Sequence, residues 1–203
     1  MGRHPRQMSE TGYYHVVTRG NQRQVIFRQA DDYAIYCDLV RAAYETYRVH
    51  LAHFCLMPNH THLLAYAAEL QLLSQAMHQL QRRYWFYARR TYQLTGHLWQ
   101  GRFHSFPIES EAYLLEAARY IERNPLEAKL VTRLDDYLWS SYRAYATPHQ
   151  PTPIPVSATP MYEALGATPT ARQQAYRAFV ETPQPYDRSM RRKLQLVTSY
   201  AEV

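Results

Sequence analysis

Cysteine is scarce. The 203-residue chain holds two, Cys37 and Cys55, both in apolar segments and neither part of a Cys-x-x-Cys pair. A disulfide framework is therefore not what holds the chain together, and the two read as reduced core residues of a cytosolic protein. Apolar runs of membrane-spanning length are missing, and the N-terminus lacks the apolar stretch of a signal peptide. The expectation is a soluble, cytoplasmic protein with no membrane partner. No internal repeat is present. Acidic residues are in the minority: 17 Asp and Glu stand against 23 Lys and Arg, giving a formal net charge of +6 and a pI near 9.3. That balance suggests an anionic partner, of which nucleic acid is the usual one, although a merely solvated basic surface would carry the same charge.

What is present is a 46% apolar fraction, enough for one ordinary domain plus an appendage. Arginine dominates the basic residues, which suits forked recognition of phosphate. The 19 tyrosines can stack bases where they interleave with arginine, or simply fill core and half-buried surface.

Along the chain, residues 1–11 read as a polar, basic arm and 13–18 as a first strand, rich in aromatic and β-branched residues. Asp31 is a suitable cap for a helix running to about residue 48, with Ile35, Leu39, Ala42 and Ala43 on its buried side. Residues 51–57 and 60–67 read as strands joined through Pro58-Asn59 as a hairpin. A long helix follows over about 72–94, with Leu73, Met77, Leu80, Tyr84 and Tyr87 at helical spacing and Gly96 as its stop. Residues 102–108 read as a fourth strand. The order strand-helix-strand-strand-helix-strand is the split βαβ, ferredoxin-like pattern. It predicts an α+β fold: an antiparallel sheet with helices packed on one face, plus a small helical C-terminal extension.

The next helix should start at Ser110 and end at Asn124, because Pro125 disfavours helical geometry at the residue before it. At 100° per residue, Tyr113, Ala117, Tyr120 and Asn124 fall close to one line, with Leu114, Ala118 and Ile121 beside it. Glu116, Arg119, Glu122 and Arg123 fall away from that line. Residues 130–145 suggest a short extended piece and a turn. Five of the twelve prolines lie in 147–160, which reads as a stiff linker. Residues 162–180 read as one or two small helices, followed by a basic tail. The expected division is a domain over 1–146, a linker over 147–160 and a basic extension over 161–203. Removing residues 150–203 should then weaken or respecify nucleic-acid binding more than it damages chemistry, since the chemistry-bearing residues precede the linker.

Two stretches bear on chemistry. In Met57-Pro58-Asn59-His60-Thr61-His62-Leu63-Leu64, residues two apart on a strand share a face, so His60 and His62 project together and can grip a divalent ion. In a chain with ten histidines, the pair alone is more often chance than ligand. In Tyr120-Ile121-Glu122-Arg123-Asn124-Pro125, Tyr120 and Asn124 share a helix face, and taken alone they more often pack and cap than react.

Several stretches nonetheless coincide in order. Tyr14-His15-Val16-Val17 with Arg19-Gly20-Asn21, the His60–His62 stretch, Gly96-His97-Leu98-Trp99-Gln100-Gly101-Arg102-Phe103, Arg119-Tyr120-Ile121-Glu122-Arg123-Asn124-Pro125 and Trp139-Ser140-Ser141-Tyr142 span about residues 10–145. Over that span the chain resembles the single-tyrosine HUH transposases, most closely the subgroup associated with repetitive extragenic palindromes. The middle HUH residue, usually hydrophobic in that family, is Thr61 here, and it should face away from a metal. The resemblance implies His60, His62 and Asn124 as ligands of Mg²⁺ or Mn²⁺ and Tyr120 as a nucleophile that leaves a 5′-phosphotyrosine and a free 3′-OH. It implies single-stranded, hairpin-bearing DNA as partner, with the protein a monomer or homodimer. Arg19, Arg82, Arg83, Arg102, Arg191, Arg192 and Lys193 are the candidate DNA contacts. Neutral ligands leave the ion its full charge for polarising phosphate. A phenol, with an ordinary pKa of about 10, needs deprotonation that no residue of the sequence obviously supplies. Rival readings are a DNA-binding protein without cleavage, a metal-dependent hydrolase in which water attacks, and a structural protein whose histidines are core.

Overall fold

The computed structural model describes residues 7–147 and 150–182. Four strands, β1 (Tyr13–Arg19), β2 (His50–Met57), β3 (His60–Tyr66) and β4 (His104–Pro107), form one antiparallel sheet in the order β2-β3-β1-β4. This is the split βαβ topology expected. β2 and β3 form the tight hairpin about Pro58-Asn59, and β1 lies against β3 with Val17 opposite His62 and Arg19 opposite His60. A register shift between Leu51 and His53 marks a bulge in β2, the extra residue that re-aims side chains on an antiparallel strand.

Alternation divides the sheet into two faces. Tyr14, Val16, Leu63 and Ala65 join one apolar cluster, which α1 (Ala30–Thr46) and α2 (Leu70–Tyr92) cover. Leu64, Cys55 and Met57 join a second cluster on the other face, covered by α3 (Glu111–Glu127). The expectation of helices on one face holds for α1 and α2; α3 adds a layer on the opposite face, and it is that layer which meets His60 and His62.

Several boundaries differ from the sequence expectations for local reasons. Asp31 does not cap α1. Gln29 is the N-cap, and Asp32 completes a capping box while accepting hydrogen bonds from Arg28 N, Gln29 N and the hydroxyls of Tyr87 and Tyr92. The buried stripe of α1 is correspondingly Tyr36, Cys37, Val40, Ala43 and Tyr44, with Ile35 at the surface. α2 ends at Tyr92, where Gln93 takes the left-handed conformation, before Gly96 is reached. β4 is shorter than expected. α3 starts at Ser110, whose side chain accepts from Tyr113 N, but it does not end at Asn124. It runs through Pro125 to Glu127, and the Ile121 carbonyl, which proline cannot serve, accepts from Asn124 Nδ2 at 3.3 Å. Arg119 and Glu122, expected away from the buried line, are both buried.

The explanation for those two lies in the rest of the chain. The short helices α4 (Tyr142–Ala146) and α5 (Pro160–Glu163) and the longer α6 (Pro169–Glu181) form a third apolar cluster around Tyr142, Tyr145, Tyr162 and Tyr176. α5 and α6 pack on α3, so α3 is covered on two sides. The proline-rich segment before α5 runs along the edge of β2, with Ile154 buried and Ser157 N donating to Leu51 O at 2.8 Å.

Candidate active site

His60 and His62 stand on the α3 side of β3 and are 7% and 0% exposed. Their ring centroids lie 4.9 Å apart at 90°. Each ring is anchored at Nδ1: His60 contacts Asn59 Oδ1 at 2.7 Å, and His62 contacts His15 Nε2 at 3.0 Å. Each Nε2 is buried without a hydrogen-bond partner. Such an atom is costly to leave bare in a core, and it is what an imidazole prepared to ligate an ion presents.

α3 brings the other two candidates to the same place. The Tyr120 ring lies 5.6 Å from His62 and 5.9 Å from His15, both edge-on. One turn later, the Asn124 Nδ2 donates to Tyr120 O at 2.8 Å and to Ile121 O, which turns the amide oxygen away from the helix backbone. The Asn124 amide also acts on His62, favouring its charged form.

Burial governs the charge of this cluster. It pushes His15 down to about 3 and, aided by the nearby Arg19 charge, His60 down to about 4. His62 is driven well below the usual range, first by burial and then by His60 and His15. All three rings are therefore neutral at physiological pH, with lone pairs available to a cation. Among the described residues no three His, Cys, Asp or Glu side chains converge as a metal site. The set that does converge is two imidazoles and one amide, and its bare Nε2 atoms and outward amide oxygen fit a divalent ion.

The basic candidates are distributed differently. Arg19 ends β1, opposite His60, and is buried. Arg82 and Arg83 lie on the outer side of α2, across the sheet from the histidines. Arg82 borders two adjacent grooves of about 620 and 410 Å³; the second is also lined by Trp85, His97, Trp99 and Arg102. Neither groove has an acidic lining residue. Arg82 sits over Phe86, which is 50% exposed, and Arg89 sits over Trp85. The second groove reaches β1, since Gln100 N donates to Arg19 O and Trp99 bridges to Gly20. Arg191, Arg192 and Lys193 lie outside the described residues. Two residues escaped the sequence analysis: His15 and Asn59. The alternation that pairs His60 with His62 could have placed His15 on an inward face of β1, but only the register of β1 on β3 sets it beside His62.

The model of the family described as "Transposase IS200 like" matches residues 8–124. The chain belongs to the IS200-like transposase family. The matched segment holds all of β1 to β4, both site histidines, Tyr120 and Asn124. Among solved structures, this family member is similar to a REP-associated tyrosine transposase bound to a REP hairpin, at 17% identity and a TM-score of 0.61, covering 78% of this chain and 94% of that one. A second, described as a candidate transposase from Deinococcus radiodurans R1, is 21% identical with a TM-score of 0.41, covering 61% and 95%. No curated protein matches.

Proposed function

We propose that this transposase-family chain is a metal-dependent single-strand DNA nuclease and strand transferase with Tyr120 as nucleophile. The observation that carries the reading is the meeting of Tyr120 with two neutral imidazoles whose Nε2 atoms are bare, 5.6 Å from ring to ring at His62. His60, His62 and Asn124 would hold Mg²⁺ or Mn²⁺, which when bound would supply charge to polarise the scissile phosphate. Tyr120 oxygen forms a bond to phosphorus as the bond to the 3′ oxygen breaks. The phenol proton leaves, the 3′ oxygen takes up a proton, and the product is a 5′-phosphotyrosine beside a free 3′-OH. That linkage retains the energy of the phosphodiester, so the reverse step on a new 3′-OH joins strands without ATP.

The substrate is single-stranded DNA carrying a hairpin, a reading that the hairpin held by the similar transposase supports. Arg19, at the histidine end of β1, guides the strand at the site, and Arg102 lines the groove it shares with Arg82 and Trp85. Arg82 and Arg83, interleaved with Trp85 and Phe86, bind the flanking nucleic acid by charge and stacking. Arg191, Arg192 and Lys193 of the tail add grip on phosphate. The protein acts in the cytoplasm as a monomer or homodimer; none of the described helices is long and apolar enough to cross a membrane.

Tyr113 is the competing tyrosine on the same face of α3. Burial pushes its hydroxyl up to about 12, and it sits about two turns before Tyr120 and about three turns from Asn124 on α3, so it is the poorer candidate. The test is Tyr120→Phe, incubated with single-stranded hairpin DNA and Mn²⁺. The variant should bind metal and DNA like the parent yet form no covalent adduct and no nick. Mass spectrometry of the peptide over 113–124 from the parent should find the nucleotide on Tyr120. Cleavage surviving in Tyr120→Phe would instead make water the nucleophile.

A further inference from the structure

His60 and His62 are each tethered at Nδ1 and bare at Nε2. The tethers differ. Asn59 Nδ2 points at Arg23 O, 3.4 Å away, so Asn59 Oδ1 is the atom left facing His60 Nδ1 at 2.7 Å. An amide oxygen only accepts, so the hydrogen of His60 sits on Nδ1 and its lone pair on Nε2. The turn carrying Asn59 is braced from outside the hairpin. Gly20 N donates to Asn59 O at 2.9 Å, and Ile26 N and Phe27 N donate to Pro58 O at 2.8 and 3.1 Å. The bracing loop is itself tight, since a Cβ on Gly20 would fall 2.2 Å from Gln24 O.

His62 meets a softer tether. A single hydrogen lies between its Nδ1 and His15 Nε2, 3.0 Å apart. With the hydrogen on His62, Nε2 presents a lone pair; with the hydrogen on His15, His62 Nε2 carries a hydrogen and repels a cation. His15 is fully buried, so no water competes for the bond.

We propose that Asn59 and His15 are positioning residues that hold His60 and His62 as Nδ1–H tautomers, so that both Nε2 lone pairs converge on one divalent cation. This inference rests on the metal-dependent reading of the site. Neither residue touches the ion. Asn59 fixes its histidine outright, because it offers an acceptor alone. His15 fixes its partner conditionally, because it can also donate, and ion binding draws the shared hydrogen onto His62. Holding the second ring nitrogen of a ligand histidine is a general way of setting its orientation and basicity.

The first test needs no metal and no variant. ¹⁵N-resolved spectra of the histidine side chains in the metal-free full chain should show His60 protonated at Nδ1 and bare at Nε2; a His60 protonated at Nε2 overturns the inference. The second is Mn²⁺ titration by calorimetry. Asn59→Leu and His15→Phe, which remove the acceptor, should bind Mn²⁺ about 10- to 100-fold more weakly than the parent. Asn59→Asp and His15→Gln keep an acceptor and should bind near the parent's affinity or more tightly, which a purely structural role for either residue would not produce. Parent-like binding by all four variants leaves the metal site standing and removes the positioning role. A parent that takes up no Mn²⁺ removes the metal reading and this inference together. Should Asn59→Leu or His15→Phe fail to fold, the parent spectrum and the two acceptor-keeping variants still decide.

Discussion

His15 and His60 are held neutral by burial down to about pH 3 and 4, and His62 shifts the same way. A histidine whose folded value lies below the unfolded value of about 6.5 binds its proton more readily in the unfolded chain. The stability of the metal-free protein is therefore whole above about pH 6.5 and is lost as pH falls toward the folded values. Each such histidine contributes a slope of about 1.4 kcal/mol per pH unit within that window. Urea unfolding at a series of pH values should show the midpoint falling steeply from about pH 6.5 to 4.5, and His60→Gln should make the fall shallower. A flat midpoint across that range would mean that the three rings are more hydrated than their burial indicates. At this scale the site was partly legible. Strand alternation puts His60 and His62 on one face, whereas the contacts of His15 and Asn59 with them do not follow from it, because such a contact is a matter of register and turn geometry. Nothing in a linear spacing says that residue 15 lies opposite residue 64 and reaches the ring at 62.

α3 carries Tyr120 and Asn124, the proposed nucleophile and amide ligand, and Glu122 ties it to three other parts of the chain. Glu122 is fully buried, and its carboxylate bonds His53 Nδ1 at 2.8 Å, Ser141 Oγ at 2.7 Å and the Tyr176 hydroxyl at 2.8 Å. One side chain thus joins the bulged part of β2, the turn before α4, and α6. Removing it strands three buried partners, and Glu122→Ala should cost about 3–5 kcal/mol, in the range for breaking a buried charged network. Glu122→Gln keeps an acceptor and should cost less; urea unfolding of both variants checks the order, and an alanine variant within experimental error of the parent would show that the network carries no stability. Helical arithmetic located Tyr120 and Asn124 on one face because that face packs on the sheet. It put Glu122 and Arg119 at the surface because a 3.6-residue period reports one buried stripe, and α3 has two. The second comes from residues beyond 140, whose packing no local pattern announces. Pro125 misled for a related reason: its rule concerns the backbone, and the Asn124 side chain supplies the hydrogen bond that the proline withholds.

Across the whole molecule the proline-rich stretch and the helices after it bear on the site through α3. Val180 O accepts from Arg123, Arg177 pairs with Asp135, and Phe179 stacks under Arg119, so the outer side of α3 is roofed by α6. Because all four candidate site residues precede the linker, the sequence suggests that removing residues 150–203 weakens binding more than it damages chemistry; this packing predicts that the chemistry suffers as well. A chain ending at residue 149 would expose Tyr142, Tyr145 and the Glu122 carboxylate, and would loosen the helix that presents Tyr120 and Asn124. A chain ending at residue 182 keeps the whole roof and lacks only the segment with Arg188, Arg191, Arg192 and Lys193. The two truncations should separate folding from DNA affinity. The 1–182 chain should melt like the parent, bind Mn²⁺ like the parent and form the Tyr120 adduct, but its DNA affinity should depend less on salt. On single strands the slope of log affinity against log salt falls by about 0.7 for each phosphate that is no longer neutralised, so removal of all four basic residues lowers it by roughly 3. The 1–149 chain should melt well below the parent and bind Mn²⁺ weakly. Thermal melts, calorimetry and a salt series on a fluorescent oligonucleotide measure these three quantities. An unchanged salt slope in 1–182 would remove the tail from the DNA interface, and a 1–149 chain with parent-like metal binding would show that β2 and β3 hold α3 in place without the roof.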